Sequence, residues 1–459
     1  MRNHLHYCGP PGCGLLTLLG AAATVTPAPP PWHPPAGRSA ILTHSGSAAI
    51  ALAMRRFGIG PADHVLVPAY NCGSEVDAIA SCGCDITFYR IDRHARIDTT
   101  DIIRRVTPRT RAVYVTHYFG WPQDLSVLAP WCREHGLRLL EDRALALFSD
   151  TPHQPLATTG DATIFSFRKT LGVPDGGALV TAHDVPSAPL DTRAPSPYTI
   201  ARRTLALLKA SSLRAADALG VYGLLHAVPG LTRIARTQAD GDGLRPNMPD
   251  AYYFDPRTLH HRMSRLTLAL LAQTDATAVA ARRRANYARL ADRIRDVPGA
   301  ALLYDDLPPR VCPLSLPLVV EQRAAWTRGL TRRGIAAIGW WAGYHRAYAW
   351  DAFPDARFLK DHVVALPIHH ELSEPQIDAI GEEVHQLSRR LSPASRPVAL
   401  RRTTRRGKPR WLTRAPEQNR DIRGTAQPPP PTLSVEPDGT VGDAAREPGA
   451  ESIRTPASV

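Results

Sequence analysis

Three stretches of this chain pair residue types with spacings that could do chemistry. In the first, Lys169 follows a short apolar run, Phe165-Ser166-Phe167, and precedes the turn Pro174-Asp175-Gly176-Gly177, which opens a second apolar run at Ala178-Leu179-Val180. A lysine between two buried strands is costly to desolvate, and desolvation lowers its pKa toward that of a nucleophilic amine able to form Schiff bases. The competing reading is a strand-end lysine that points into water. In the second, Asp142 ends the run 137–140 as part of Glu141-Asp142. A carboxylate at a strand end can hold a cationic ring nitrogen, as pyridoxal phosphate requires, although a solvated turn or a helix cap is its commoner duty. In the third, His44-Ser45-Gly46-Ser47 precedes a helical stretch. Free N–H groups and the positive dipole end at such a turn suit an anion, most often phosphate, while a serine there can also serve for capping alone.

The elements that must position these residues alternate. Strands are expected at 40–43, 64–68, 86–91, 111–117, 137–140, 162–167 and 178–181. Helices are expected at 48–57, 74–82, 99–106 and 125–135. Alternation of this kind predicts an α/β fold with a mainly parallel sheet covered on both faces, in which ligands bind at the carboxyl ends of strands. Asp142 and Lys169 both fall at such ends. Farther on, a basic helical stretch at 200–221 reads as a surface helix pair or a dimer arm, with a solvated face as the plainer account of its charge. One long arginine-rich helix is expected over 264–294. A smaller α/β domain follows, with a strand at 313–320, a helix at 321–333 and a final helix that starts from a Ser373/Gln376 capping box and runs to about 387.

Composition bounds the rest. The chain has 459 residues, enough for two or three domains at roughly 150 residues each. Its net charge of +13 is uneven, because residues 389–423 hold twelve basic and two acidic residues, so the body is close to neutral. The 43 prolines cluster toward the two ends. This divides the chain into a Pro-rich extension without packed structure (1–37), a large domain (38–257, with an atypical helical insertion at 186–250), a small C-terminal domain (258–391) and a disordered basic tail (392–459). Gly14 to Val25 weakly resembles a signal-peptide core, but a mis-assigned start codon or a floppy extension is the better account. No run approaches the roughly 18 apolar residues of a membrane span. The seven cysteines show no zinc-like spacing, so free thiols, no metal site and a cytoplasmic setting are expected. The tail reads as nonspecifically electrostatic, with no specific nucleic acid as partner.

Taken in order, the motifs resemble those of the DegT/DnrJ/EryC1/StrS family of sugar aminotransferases, in a divergent form. The resemblance rests on Ser45-Gly46-Ser47-Ala48-Ala49, Gly58-Ile59-Gly60-Pro61-Ala62-Asp63, Val67-Pro68, His117-x-x-Gly120-x-Pro122-x-Asp124, Glu141-Asp142, Phe165-Ser166-Phe167, Lys169 with Gly176-Gly177, Arg262-Met263-Ser264, Gly334-Ile335 with His345, and Leu366-Pro367-Ile368-His369. It implies the fold type I architecture of pyridoxal-phosphate-dependent transferases. By resemblance, Lys169 carries pyridoxal 5'-phosphate, Asp142 pairs the ring nitrogen, and Gly46, Ser47 and Ser166 hold the phosphate. An aromatic often covers the ring after Val-Pro. Cys72 stands at that position here, with Tyr70 close by. Leu145 replaces a glutamine that holds the phenolic oxygen in relatives, the segment before Lys169 is two residues short, and His260 stands for an asparagine that reaches a neighbouring subunit. His345, Trp340 or Trp341 would line the substrate pocket, with core packing as the plain account of the tryptophans. The implied activity is amino transfer from a donor such as glutamate to a keto-sugar, nucleotide-linked, for polysaccharide or secondary-metabolite biosynthesis, by a homodimer. Two other readings stay open: another pyridoxal-phosphate reaction on a non-sugar carbonyl, and a non-catalytic regulator or scaffold.

Overall fold

The computed structural model describes residues 6–24, 34–150, 155–182, 193–228, 253–340 and 343–391. The tail from 392, residues 186–192 and 229–250 of the insertion, and Trp341 lie outside the described residues.

The large domain is laid down in the expected alternation: α1 (Leu15–Ala23), β1 (Arg38–Thr43), α2 (Gly46–Arg56), β2 (His64–Pro68), α3 (Ser74–Ala80), β3 (Asp85–Tyr89), α4 (Thr99–Arg104), β4 (Thr110–Thr116), α5 (Leu128–Glu134), β5 (Arg138–Asp142), β6 (Ala162–Ser166), α6 (Phe167–Thr170) and β7 (Gly177–Ala182). The seven strands form one sheet in the order β1-β7-β6-β5-β4-β2-β3. From β6 through β3 every pairing is parallel, and β7 runs antiparallel to both β6 and β1. The strands β2 and β6 are buried along their whole length, as expected of a sheet covered on both faces.

After α7 (Pro197–Ala218) and α8 (Tyr222–His226) come α9 (Arg265–Ala272), α10 (Ala276–Ile294), β8 (Ala300–Leu302), β9 (Ser315–Val320), α11 (Arg323–Arg332), β10 (Ile338–Gly339), α12 (Pro354–His362), β11 (Val363–Pro367) and α13 (Glu374–Leu391). The small sheet is antiparallel, in the order β10-β11-β9-β8. Its core brings Leu316, Leu318 and Val320 of β9 against Leu290 and Ile294 of α10 and Ile377, Ile380 and Val384 of α13.

Three expectations are corrected. The stretch 264–294 is two helices, because Asp275 accepts from the Ala278 N–H at 3.0 Å and caps a new start at Ala276. The capping box at Ser373 forms only in its reverse half: the Gln376 side-chain oxygen accepts from the Ser373 N–H at 2.9 Å. The extension 1–37 is not without structure. Leu18 and Ala21 of α1 are buried in the core that also holds Leu270 and Leu271 of α9. Cys8 bridges to Ile335 of the small domain, donating its N–H to Gly334 O at 3.0 Å and accepting from the Ala336 N–H at 2.9 Å. Apolar spacing in this extension covers one face of α9, and the surrounding prolines conceal it in the sequence.

Candidate active site

The phosphate turn and the lysine turn are stitched together. Ser45 caps α2 by accepting from the Ala48 N–H at 3.2 Å, and His44 O accepts from the Gly176 N–H at 2.8 Å. Asp175 is the hub. Its carboxylate meets His44 Nδ1 at 3.2 Å, accepts from the Ser264 N–H at 2.9 Å and the Ser264 hydroxyl at 2.7 Å, and accepts from the Thr267 hydroxyl. Burial would raise the pKa of this carboxylate, but the hydrogen bonds from His44, Thr267 and Ser264 hold it below the usual range. Through Asp175 the Arg262-Met263-Ser264 segment is fixed to the Gly176-Gly177 turn. A glycine is required at the contact itself: a Cβ on Gly177 would lie 2.4 Å from the Ser45 carbonyl carbon.

This stitching brings Gly46 against Ser166 at the end of β6, where a Cβ on Gly46 would stand 3.3 Å from the Ser166 Cβ and 3.8 Å from its Oγ. The first-turn N–H groups of Gly46 and Ser47 have no acceptor within α2. Together with the Ser166 hydroxyl and the dipole of an 11-residue helix they form an anion cradle.

Asp142 is buried at the end of β5, and its Oδ1 accepts from the Ala144 N–H at 2.8 Å. Lys169 sits on α6, the single turn after β6, and is exposed. This corrects the expectation that burial between two strands activates it. The charges of Asp142 and Lys169 nevertheless converge on one group, Glu75, at the start of α3. Glu75 is buried at 3% exposure. Burial raises its pKa first, Asp142 adds to the rise, and Lys169 opposes it. Its two oxygens accept from the Cys72 N–H at 3.2 Å and from the Cys72 thiol at 2.6 Å. Burial, followed by Glu75, pushes that thiol up to about 12, so Cys72 is a neutral hydrogen-bond donor. The sequence had marked 74–82 simply as a helix. The signal for Glu75 was its i,i+3 relation to Cys72, which places both at the turn into α3.

The other expected residues are distributed as follows. Tyr70 is fully buried, its ring centroid 5.3 Å from that of Tyr118, and its hydroxyl donates to Trp340 O at 3.1 Å. Trp340 is half-buried, 5.7 Å from the Phe119 ring. His345 is buried, and its Nε2 meets Asp77 of α3 at 2.8 Å. Tyr70, Trp340 and His345 thus join the small-domain loop to the segment that follows β2. Leu145 is part of the large core.

One buried charge network braces the end of β5. Glu141 meets His117 Nε2 at 3.0 Å and accepts from Arg143 Nη2 at 3.0 Å and from the Gly160 N–H at 2.6 Å. Burial alone would raise its pKa, but Arg143, His117 and Gly160 bring it down to about 2. Arg143 in turn donates to Ser149 O at 2.8 Å.

A mainly parallel sheet with these residues at its strand ends, followed by a small antiparallel domain, is a fold found in other proteins of known structure. Three solved structures share it: the aminotransferase TlmJ from Streptoalloteichus hindustanus (TM-score 0.55, 22% identity, 77% of this chain and 86% of that one), PseC from Helicobacter pylori, an aminotransferase of pseudoaminic acid biosynthesis (0.58, 15%, 84% and 100%), and the PLP form of a sugar aminotransferase from Streptococcus pneumoniae (0.60, 16%, 84% and 99%). Residues 36–187 match the model of the DegT/DnrJ/EryC1/StrS aminotransferase family, so the resemblance read from the motifs holds over that segment. Within it the chain is 36% identical over 145 residues to the dTDP-4-dehydro-2,3,6-trideoxy-D-glucose 4-aminotransferase of Saccharopolyspora spinosa, covering 31% of this chain and 38% of that protein. It is 32% identical over 151 residues to the GDP-perosamine synthase of Vibrio cholerae, covering 32% and 41%. The matches therefore span about two fifths of the relatives' own length. Among the described residues no helix is long and apolar enough to cross a membrane.

Proposed function

We propose that this chain is a pyridoxal-phosphate-dependent aminotransferase that moves an amino group, from a donor such as glutamate, to a nucleotide-linked keto-sugar. The observation that carries the reading is the convergence of an anion cradle (Gly46, Ser47, Ser166), a buried carboxylate (Asp142) and an accessible amine (Lys169) around one end of the sheet. These residues suit the cofactor chemically. The cradle offers N–H and O–H donors to a phosphate, with Gly46 leaving room for close approach, and Asp142 offers a buried acceptor to a protonated ring nitrogen.

When bound, the cofactor supplies an electron sink for negative charge developing on the substrate carbon. The remaining duties fall to the chain. Lys169 Nζ would hold the cofactor, and its amine would carry the proton to and from the substrate carbon. Its exposure leaves that amine accessible to substrate. Asp142, oriented by the Ala144 N–H, would hold the ring nitrogen in its protonated form. Tyr70 and Cys72 would border the ring, the thiol standing where an aromatic face is usual by resemblance, and His345 and Trp340 would form the small-domain side of the substrate site. We take the working form to be a cytoplasmic homodimer. Leu16, Leu219 and Leu224 are at least 75% exposed and offer apolar surface to a second copy.

The test is direct. Purified protein given pyridoxal phosphate should develop a visible absorbance band that Lys169→Ala abolishes, and should transfer the glutamate amine to a nucleotide-linked keto-sugar. A colourless protein sinks the reading, and a coloured one inert on every keto-sugar favours a different carbonyl acceptor. Light scattering of the eluting peak reads the oligomeric state.

A further inference from the structure

All seven cysteines of the chain are free thiols. Six are buried, and Cys82 alone is half-buried. Its neighbour in the run Cys82-Gly83-Cys84 is 5% exposed. The run forms the turn between α3 and β3. Gly83 holds φ at +83°, in the left-handed region, and a Cβ there would come to 3.1 Å from the Pro61 ring.

This turn aims both thiols at one atom. Cys82 Sγ donates to Ile79 O at 3.0 Å, and Cys84 Sγ lies 3.7 Å from the same oxygen. That oxygen also accepts from the Cys82 N–H at 3.2 Å. Three donors thus meet two lone pairs, and one thiol is spare for its neighbour. The hydrogen bond from Cys84 brings the Cys82 thiol below its ordinary range, although burial opposes it. The same bond, with burial added, drives Cys84 the other way. The two sulfurs therefore differ in kind: one is accessible and acidic, the other covered and protonated. Two sulfurs are too few for a structural zinc, and among the described residues no three His, Cys, Asp or Glu side chains cluster to hold a metal. An acidic thiol with a second one beside it is instead the arrangement of thiol–disulfide exchange, in which the first attacks and the second resolves.

We propose that Cys82 and Cys84 form a dithiol–disulfide site, oxidised by a low-molecular-weight disulfide of the glutathione type. In the first step the Cys82 thiolate attacks one sulfur of the oxidant. A bond forms between the two sulfurs, the oxidant's own S–S bond breaks, and one of its halves leaves as a thiolate. In the second step Cys84 gives up its proton and attacks the Cys82 sulfur. The other half of the oxidant leaves, and the Cys82–Cys84 bond remains. Two electrons pass from the dithiol to the oxidant, whose halves depart as thiols after taking up the two protons that the cysteines release. Both S–H donors are then lost from Ile79 O, in the last turn of the seven-residue helix that also carries Glu75 and Asp77. No part of this rests on the aminotransferase reading.

The test incubates the full-length protein with oxidised glutathione, quenches it in denaturant with an alkylating agent, and maps the peptides by mass spectrometry. Wild type should gain one disulfide within residues 82–84, reversed by dithiothreitol, while the other five cysteines are alkylated. Cys84→Ala should stop at a stable glutathione adduct on Cys82, and Cys82→Ala should lose both products. Cys82 should also be consumed several-fold more slowly at pH 7 in Cys84→Ala, because the donor that favours its thiolate is gone. Equal rates would remove Cys84 from that role and overturn the proposal. So would wild-type Cys82 that stays fully alkylatable, a glutathione adduct on it that never closes, or a disulfide formed elsewhere in the chain. These last three outcomes are read on wild type, so they hold even where a variant fails to fold.

Discussion

The charged groups at the end of β5 and those in the small domain are built in opposite ways. At the end of β5, Glu141, His117 and Arg143 are all fully buried, and Glu141 alone gathers bonds from the other two and from a backbone N–H. In the small domain Lys360 is buried and Arg323 is half-buried, and each keeps one buried nitrogen with no hydrogen-bond partner. A saturated cluster stabilises the fold that contains it. An unsaturated one costs the fold the desolvation of its unpaired groups.

The contrast is broken most severely from the saturated side. Removing one partner from the Glu141 network leaves an uncompensated buried charge, so Arg143→Met should cost about 3–5 kcal/mol in chemical denaturation. The same network sets an acid limit. The pKa of Glu141 is depressed to about 2 in the fold, so its contribution is complete above about 4.5 and is lost as the pH falls from there toward 2. Glu141→Gln should flatten that part of the stability profile, as followed by urea unfolding between pH 2 and 6. An unchanged profile would mean that the network is not the acid-sensitive element.

On the unsaturated side the sign reverses. Between pH 7 and 10.5 the folded protein binds fewer protons at Lys360 than the unfolded chain, so stability at this group rises with pH across that window. Lys360→Met should therefore stabilise the protein, by about 1–4 kcal/mol at pH 6, and the gain should vanish above pH 10.5. A destabilised variant at pH 6 would show that the lysine is structurally satisfied after all. The mildest expectation concerns the cradle. A methyl group on Gly46 meets Ser166 at a tight but tolerable 3.3 Å, so Gly46→Ala should leave thermal stability nearly unchanged. It should still raise the Kd for pyridoxal phosphate about fivefold, the worth of one weakened hydrogen bond of about 1 kcal/mol, in a fluorescence titration.

The sheet and the cradle could be read in advance because their signals are local. The run 64–68 is apolar and bounded by turns, and the glycines of 46 and 176–177 sit at fixed offsets from Ser45 and Lys169. Lys169 itself was placed at the right turn but given the wrong environment, since whether a strand-end side chain is covered depends on elements far away in the chain. Glu75 and Lys360 were not legible for the same reason. Each lies on an ordinary helix, and only the assembled neighbours, Asp142 for one and the Tyr344 ring for the other, turn it into a buried titratable group. The helix α1 was hidden by its surroundings, because proline on either side outweighs a short apolar face that gains its partner, α9, some 250 positions later.

That early segment has a mechanical meaning. Cys8 is paired with the small domain through Gly334 and Ala336, the Gly12 N–H reaches Glu371, and α1 lies on α9. Residues 6–24 therefore act as a clasp across the two lobes, closing a chain loop of several hundred residues with a handful of hydrogen bonds. A clasp of this kind limits how far the lobes can part without restricting how they slide when they meet.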